Sequence, residues 1–278
     1  MKREGIAFFG AGSMAEAILD GILAEGLVRP EDIYVTNKSN DEKLRLLRDK
    51  HGLNTTRDYG EITSNCRYLV IAVKPKDVAE LLAAIKQHLK AEHVIISVAA
   101  AITTEFIEKS LGKEIAVIRV MPNTSCRVRE SASGIAFGRY VDEEVRDFAK
   151  RIFASIGKAV IVQEEMMDAV TGLAGSGPAY VYLMMEAMIQ AGMKQGLSRQ
   201  MSEELTYQTL YGAAKMALST KESPQQLIEQ IATPGGTTRA GLQALEEADI
   251  KAAFIDAVSR AVKRSKEMMA EYSRLPDS

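Results

Sequence analysis

Three stretches of this 278-residue chain hold residues whose types and spacing could do chemistry. The first is 232–246, ATPGGTTRAGLQALE, in which Thr233, Gly235, Gly236, Thr237 and Thr238 surround or follow a proline and lead into a helical pattern. Such a run bunches free backbone N–H groups, small hydroxyls and a positive helix end in one place, the donor set a small carboxylate ligand requires. We expect the substrate there. The second is Gly10-Ala11-Gly12-Ser13-Met14-Ala15, set between an apolar run at 6–9 and a helical pattern through Ile18, Leu19, Ile22 and Leu23. The first glycine permits a tight turn and the second lets a pyrophosphate approach the backbone, with the helix end facing its charge. An ordinary Gly-rich turn would read the same in isolation. The third is 168–193, where Gly172, Ala174, Gly175, Ser176 and Gly177 precede large apolar residues. Glycines cost a helix about 1 kcal/mol each, so they mark a backbone approached closely by cofactor, substrate or another helix.

Equally informative is what is missing. Only three histidines occur, His51, His88 and His93, each in a polar or turn-like setting, and all three are expected on the surface. Between Lys158 and Lys194 there is no Lys, Arg or His. Enzymes of the β-hydroxyacid dehydrogenase type share this layout but carry a lysine base in that region, because oxidising an alcohol needs one. The chemistry expected here must proceed without an ionic base.

The elements that position these stretches follow from periodicity. Short apolar runs at 33–36, 68–73, 93–98 and 115–120 lack strict alternation, which suits parallel strands buried on both faces. Helical patterns at 41–50, 77–89 and 103–110 alternate with them, the mark of a doubly wound sheet. Further strands are expected at 133–137 and 158–162, with a helix at 142–155. From residue 164 the texture is helical throughout, with starts at Ser198 and Ser223-Pro224, a last helix at 251–272 and an irregularity near Pro178. The fold class is therefore an α/β Rossmann-type N-terminal domain with a mostly parallel sheet, 1–163, followed by an all-α domain, 164–278. The Met-rich apolar faces of the helical part exceed what one small bundle buries and point to a subunit interface, with core filling as the bland alternative.

Strand ends would face the cofactor. Thr36-Asn37-Lys38-Ser39 carries no carboxylate until Asp41, which favours NADPH; NADH stays open if Asp41 or Glu42 folds back. Ala72-Val73-Lys74-Pro75, then Ala99, Ala100 and Ala101, and then Met121 and Asn123 of Met-Pro-Asn-Thr form the other edges. A net charge of −2 gives no reason to expect nucleic acid or an anionic membrane as partner, and no apolar run reaches the length of a membrane span. The start reads as a charged lead into a strand rather than a signal peptide. Two cysteines, Cys66 and Cys126, form neither a disulfide framework nor a metal cluster. The cytoplasm is the expected compartment, and no metal site is expected.

Taken together these motifs carry a resemblance. Gly10-Ala-Gly12, Ala72-Val-Lys-Pro75, Met121-Pro-Asn-Thr124, Asp168-Ala-Val-Thr-Gly-Leu-Ala-Gly-Ser-Gly-Pro-Ala-Tyr180 and Thr233-Pro-Gly-Gly-Thr-Thr238 make the chain similar to the pyrroline-5-carboxylate reductases over nearly its whole length. The last two motifs are the specific ones. The resemblance implies NAD(P)H-dependent reduction of 1-pyrroline-5-carboxylate to L-proline by obligate dimers that assemble further in some cases. It implies that Phe9 to Met14, Asn37, Lys38, Asn54, Ala72 to Pro75 and Ala99 to Ala101 line the dinucleotide. It also places Glu164, Thr237 and Thr238 at the substrate and Gln230 near the cofactor. Ala101 stands where many members have glycine, and Gln230 where some have asparagine. Thr238 is the expected proton or hydrogen-bond donor to the imine nitrogen, or else an N-cap hydroxyl. A related cyclic imine reductase, or a silent dinucleotide-binding module, remains open on the sequence.

Overall fold

The computed structural model describes residues 5–272; the charged lead, 1–4, lies outside the described residues. Two compact units are present: one made of residues up to Ser176 together with those from Arg260 onward, the other Gly177–Ser259. The expected boundary at 163/164 falls inside the first unit. Packing explains why: the Asn123 amide donates to the carbonyl of Ala174 (3.0 Å), and the hydroxyl of Ser265 donates to the buried carboxylate of Asp168 (2.6 Å).

The first unit is one eight-stranded sheet of β1 (Gly5–Phe9), β2 (Ile33–Thr36), β3 (Asn54–Thr55), β4 (Cys66–Ile71), β5 (Val94–Ser97), β6 (Ala116–Met121), β7 (Ser131–Phe137) and β8 (Gly157–Ile161). Their order is β3-β2-β1-β4-β5-β6-β7-β8. Every pairing is parallel except β6 with β7. The sheet is apolar on both faces. Ile6 and Phe8 face a core shared with α1 (Ser13–Ala24), α2 (Asp41–His51) and α6 (Glu143–Ala154). Ala7 and Phe9 face the core of α3 (Tyr59–Asn65), α4 (Val78–Ile85) and α5 (Thr104–Leu111). A short α7 (Met167–Val170) runs into a π-helical turn, Thr171–Gly175.

The second unit is helical: α8 (Gly177–Lys194), α9 (Arg199–Ser219), α10 (Pro224–Ile231), α11 (Thr237–Glu247) and the start of α12 (Ile250–Tyr272). It has little core of its own. Within α8 only Ile189 is buried, within α9 only Ser202 and Thr206, and within α10 and α11 nothing. No helix among the described residues is long and apolar enough to cross a membrane.

One expectation is overturned. His93 is not a surface residue: it is 3% exposed, its Nδ1 lies 2.7 Å from the amide of Lys90, and its Nε2 lies 2.8 Å from the carbonyl of Thr63. Hydrogen bonding therefore assigns the ring the tautomer with the proton on Nε2. It links α3 to the start of β5. His51 is also largely covered, with Asp20 at 3.3 Å. Removing the ring strands a buried carbonyl and an amide, so His93→Ala is expected to cost about 2 kcal/mol. Urea unfolding measures this, and a loss below about 0.5 kcal/mol would contradict the structural role.

Candidate active site

The strand order reverses between β1 and β4, and ligands of open α/β sheets bind outside the carboxyl ends at that point. Gly10 makes the crossing possible. Its φ is +113°, and a Cβ there would lie 2.4 Å from the carbonyl oxygen of Ala72. Its amide donates to Thr36 (2.9 Å), and the Ala72 amide donates to Phe9 (2.8 Å), so three strand ends are laced together. Gly12 is the N-cap of α1, with no side-chain cap and open space where a Cβ would point. The first-turn amides around Ser13 and Met14 thus lack a side-chain acceptor, and the bare backbone leaves room for a phosphate. The residues present fit a dinucleotide.

Beside this turn a cavity of about 100 Å³ is lined by Phe9, Gly10, Asn37, Lys38, Tyr59 and Val73, among others. Tyr59 packs edge-to-face on Phe9 with ring centroids 5.7 Å apart. It gives the cavity an aromatic wall that sequence reasoning missed. Lys38 reaches across to Glu80 at 3.0 Å, and this pairing raises the ammonium pKa. Pro75 starts a 3₁₀ turn behind Lys74, which keeps the extended backbone that a following proline demands. On the neighbouring edge Ala99 and Ala101 are buried, Ala100 lies between them, and Ala101 has φ +62°. That conformation favours glycine, which fits the glycine that many members carry there; the alanine of this chain holds it under strain.

Asn54 is not brought to this edge. Its amide donates to the carbonyls of Glu31 (2.8 Å) and Ile33 (3.3 Å), at the amino end of β2. Asn123 is at the edge but spent on structure: it accepts from Ser125 N–H and donates to Ala174, bracing the π turn. A Cβ on Gly175 would lie 2.9 Å from the terminal methyl of Met121, which packs against this turn. Ser176 closes the same turn through its amide to Thr171 (2.9 Å).

Glu164 is held by two donors. Its Oε1 accepts from Arg119 Nη1 at 2.7 Å, and its Oε2 accepts from the Thr104 hydroxyl at 3.0 Å. Arg119 is 2% exposed, and its other terminal nitrogen is buried without a hydrogen-bond partner among the described residues. A charge in the apolar strand IAVIRV was the signal available in the sequence, because a buried arginine requires a counter-ion.

In the second unit, residues 233–236 form a type II turn: Gly236 N–H donates to Thr233 O (3.0 Å), Pro234 fixes the first corner, and Gly235 takes φ +75°. Gly236 caps α11 without a side-chain bond, and a Cβ on it would meet the Thr233 hydroxyl at 2.7 Å. Thr237 and Thr238 occupy the first two helical positions. Among the described residues neither hydroxyl has a partner, so Thr238 does not cap the helix behind it. Gln230 on α10 hydrogen-bonds Glu222.

Sheet, reversed strand order and bare glycine turn define a dinucleotide-linked oxidoreductase of the Rossmann type. Two family models match: "NADP oxidoreductase coenzyme F420-dependent" over residues 5–101 and "Pyrroline-5-carboxylate reductase dimerisation" over residues 164–268. The chain is 42% identical over 268 residues to pyrroline-5-carboxylate reductase 2 of Bacillus subtilis, covering 96% of each chain. It is similar to the structure of a pyrroline-5-carboxylate reductase from Coxiella burnetii at 38% identity and TM-score 0.90, covering 96% of this chain and 98% of that one. It is also similar to Plasmodium falciparum pyrroline carboxylate reductase with NADP bound, at 32% identity and TM-score 0.86, covering 97% and 99%. The chain belongs to the pyrroline-5-carboxylate reductase family.

Because Arg119 is buried, Glu164→Ala is expected to leave an uncompensated charge and to cost about 3 kcal/mol. The double variant Glu164→Ala/Arg119→Met should recover most of that in a double-mutant cycle. Additive losses would contradict a coupled pair.

Proposed function

We propose that the chain reduces the cyclic imine of 1-pyrroline-5-carboxylate to L-proline, preferring NADPH over NADH, in the cytoplasm, as a homodimer or a larger assembly of dimers. Family membership supports the reaction. The observation that carries its residue-level form is the 233–238 turn, where the uncapped amides of α11 meet two hydroxyls without partners. When bound, the dinucleotide supplies the hydride. The chain's own residues do the rest.

Amides at the start of α11 donate to the substrate carboxylate, at the positive end of the helix dipole. The Thr238 hydroxyl hydrogen-bonds the imine nitrogen, or relays a proton to it from water, which makes the adjacent carbon electrophilic. Glu164, which we also assign to the substrate, is held in place by Arg119 and Thr104. Bare backbone at Gly10 and Gly12, with the small residues at 72–75 and 99–101, positions the cofactor. No ionic base is needed, because hydride and proton add to a C=N bond and none has to be abstracted from an alcohol.

Exposed apolar residues of the helical unit support self-association: Leu205, Tyr207, Tyr211 and Met216 on α9 are each at least half exposed, and Leu218 is 88% exposed. An isolated helical surface of that kind is rare on a monomer. We divide the chain by function at 163/164, a reading that the family match over residues 164–268 supports.

Thr238→Ala is expected to lower turnover about 10²-fold while leaving NADPH binding nearly unchanged. An unaltered steady-state rate would sink Thr238 as donor. Tyr211→Asp should shift sedimentation toward the monomer; an unchanged distribution would remove α9 from the interface.

A further inference from the structure

The carboxyl end of β2 is where a dinucleotide-binding sheet meets the 2′ position of the adenosine ribose. The amide and the ammonium that the sequence offers there already have partners. Asn37 Oδ1 accepts from the amide of Asn40 and its Nδ2 donates to the Asn40 carbonyl, both at 2.8 Å, closing the turn into α2. The Lys38 ammonium is paired with Glu80. Another cation reaches the same place from twenty residues further on. β3 lies beside β2 on the outer edge of the sheet, and Arg57 follows it. The Arg57 Nε donates to the Asn37 carbonyl at 3.0 Å, and its Nη2 meets the Asp41 carboxylate at 2.6 Å. The guanidinium is therefore anchored at the strand end by one nitrogen, with its fork turned toward a carboxylate whose side chain is 82% exposed. Arg45 and Arg48 line the same cleft.

We propose that Arg57 recognises the 2′-phosphate of NADPH, exchanging the Asp41 carboxylate for the phosphate, and that it sets the preference for the phosphorylated cofactor. This rests on the reading of the carboxyl edge as the dinucleotide site. A guanidinium stays charged at every working pH, and its planar fork matches phosphate oxygens in a way that an ammonium does not. Asp41 is a surface partner and is surrendered at little cost. The same ion pair disfavours the unphosphorylated cofactor. With its carboxylate held by Arg57, Asp41 is occupied where a free acid would accept a bond from a ribose 2′-hydroxyl.

Calorimetric titration of the full chain with 2′,5′-ADP and, separately, with 5′-AMP reads this directly, since the two differ only in the 2′-phosphate. The unsubstituted protein should bind 2′,5′-ADP more tightly. Arg57→Ala should weaken 2′,5′-ADP about tenfold and change 5′-AMP less than about twofold, the loss of one charged hydrogen-bonded contact. Arg57→Lys, which keeps the charge and loses the fork, should fall between, and it serves as the test if the alanine variant does not fold. Asp41→Asn should tighten 2′,5′-ADP. A preference for 2′,5′-ADP that survives in Arg57→Ala or Arg57→Lys at full strength overturns the role of Arg57 alone. Equal binding of both nucleotides by the unsubstituted protein overturns it together with the NADPH preference. Binding of neither overturns the dinucleotide reading on which it rests.

Discussion

The first amides of a helix must be hydrogen-bonded to something, and in this protein that requirement separates structure from function. Six helices meet it with a side chain: Asn40, Asp58, Thr103, Asp142, Ser198 and Ser223 cap α2, α3, α5, α6, α9 and α10. The helices whose N-cap is a glycine, α1 after Gly12 and α11 after Gly236, have no side-chain cap; α4 and α7 also lack one, but each continues directly from a 3₁₀ turn. Each of the two glycine-capped helices begins at a turn in which a preceding glycine takes positive φ, Gly10 before one and Gly235 before the other. A side-chain cap stabilises a helix by about 1 kcal/mol. Its absence at two Gly-rich turns leaves their first amides open to an anionic ligand, which would restore the bond.

Around those turns the fold is rigid where it must be. Thr36, Phe9 and Ala72 are laced to one another through Gly10, and Val98 donates in turn to Ile71, so the carboxyl edge is a continuous ladder. Asn123 braces the π turn, and the buried Arg119 holds the carboxylate of Glu164, whose side chain is 24% exposed. A largely buried pair of this kind contributes little net stability. What it supplies is a carboxylate of fixed position. The helical unit follows the opposite rule and leaves its apolar faces bare, which suits a surface completed by a second copy.

Local signals were legible in the sequence and distant ones were not. Strands such as 33–36 and 115–120, the Gly-rich turn and the start of α10 at Ser223-Pro224 are written in adjacent residues, and the structure reproduces them within a few positions. The short β3 and α3 were missed because two residues of strand and one apolar turn of helix carry no periodicity. His93 read as polar surface because its partners, Thr63 and Lys90, become partners only after folding. Asn54 was assigned to the cofactor although β3 places it at the amino end of β2. Conversely Arg57, Tyr59 and Arg119 gave no local sign of meeting Asn37, Phe9 and Glu164. Contacts across twenty to fifty residues are set by sheet order, which no single stretch encodes.

The central claim is that two glycine-opened helix starts, without an ionic base, suffice for reduction of a small cyclic imino acid. Its most direct test is product analysis: NADPH oxidation followed alongside formation of the cyclic amino acid, with 1-pyrroline-5-carboxylate and its six-membered-ring homologue as competing substrates. The account predicts one L-proline for each NADPH consumed and a clear preference for the five-membered ring. Oxidation without proline, or a preference for the larger ring, would contradict it.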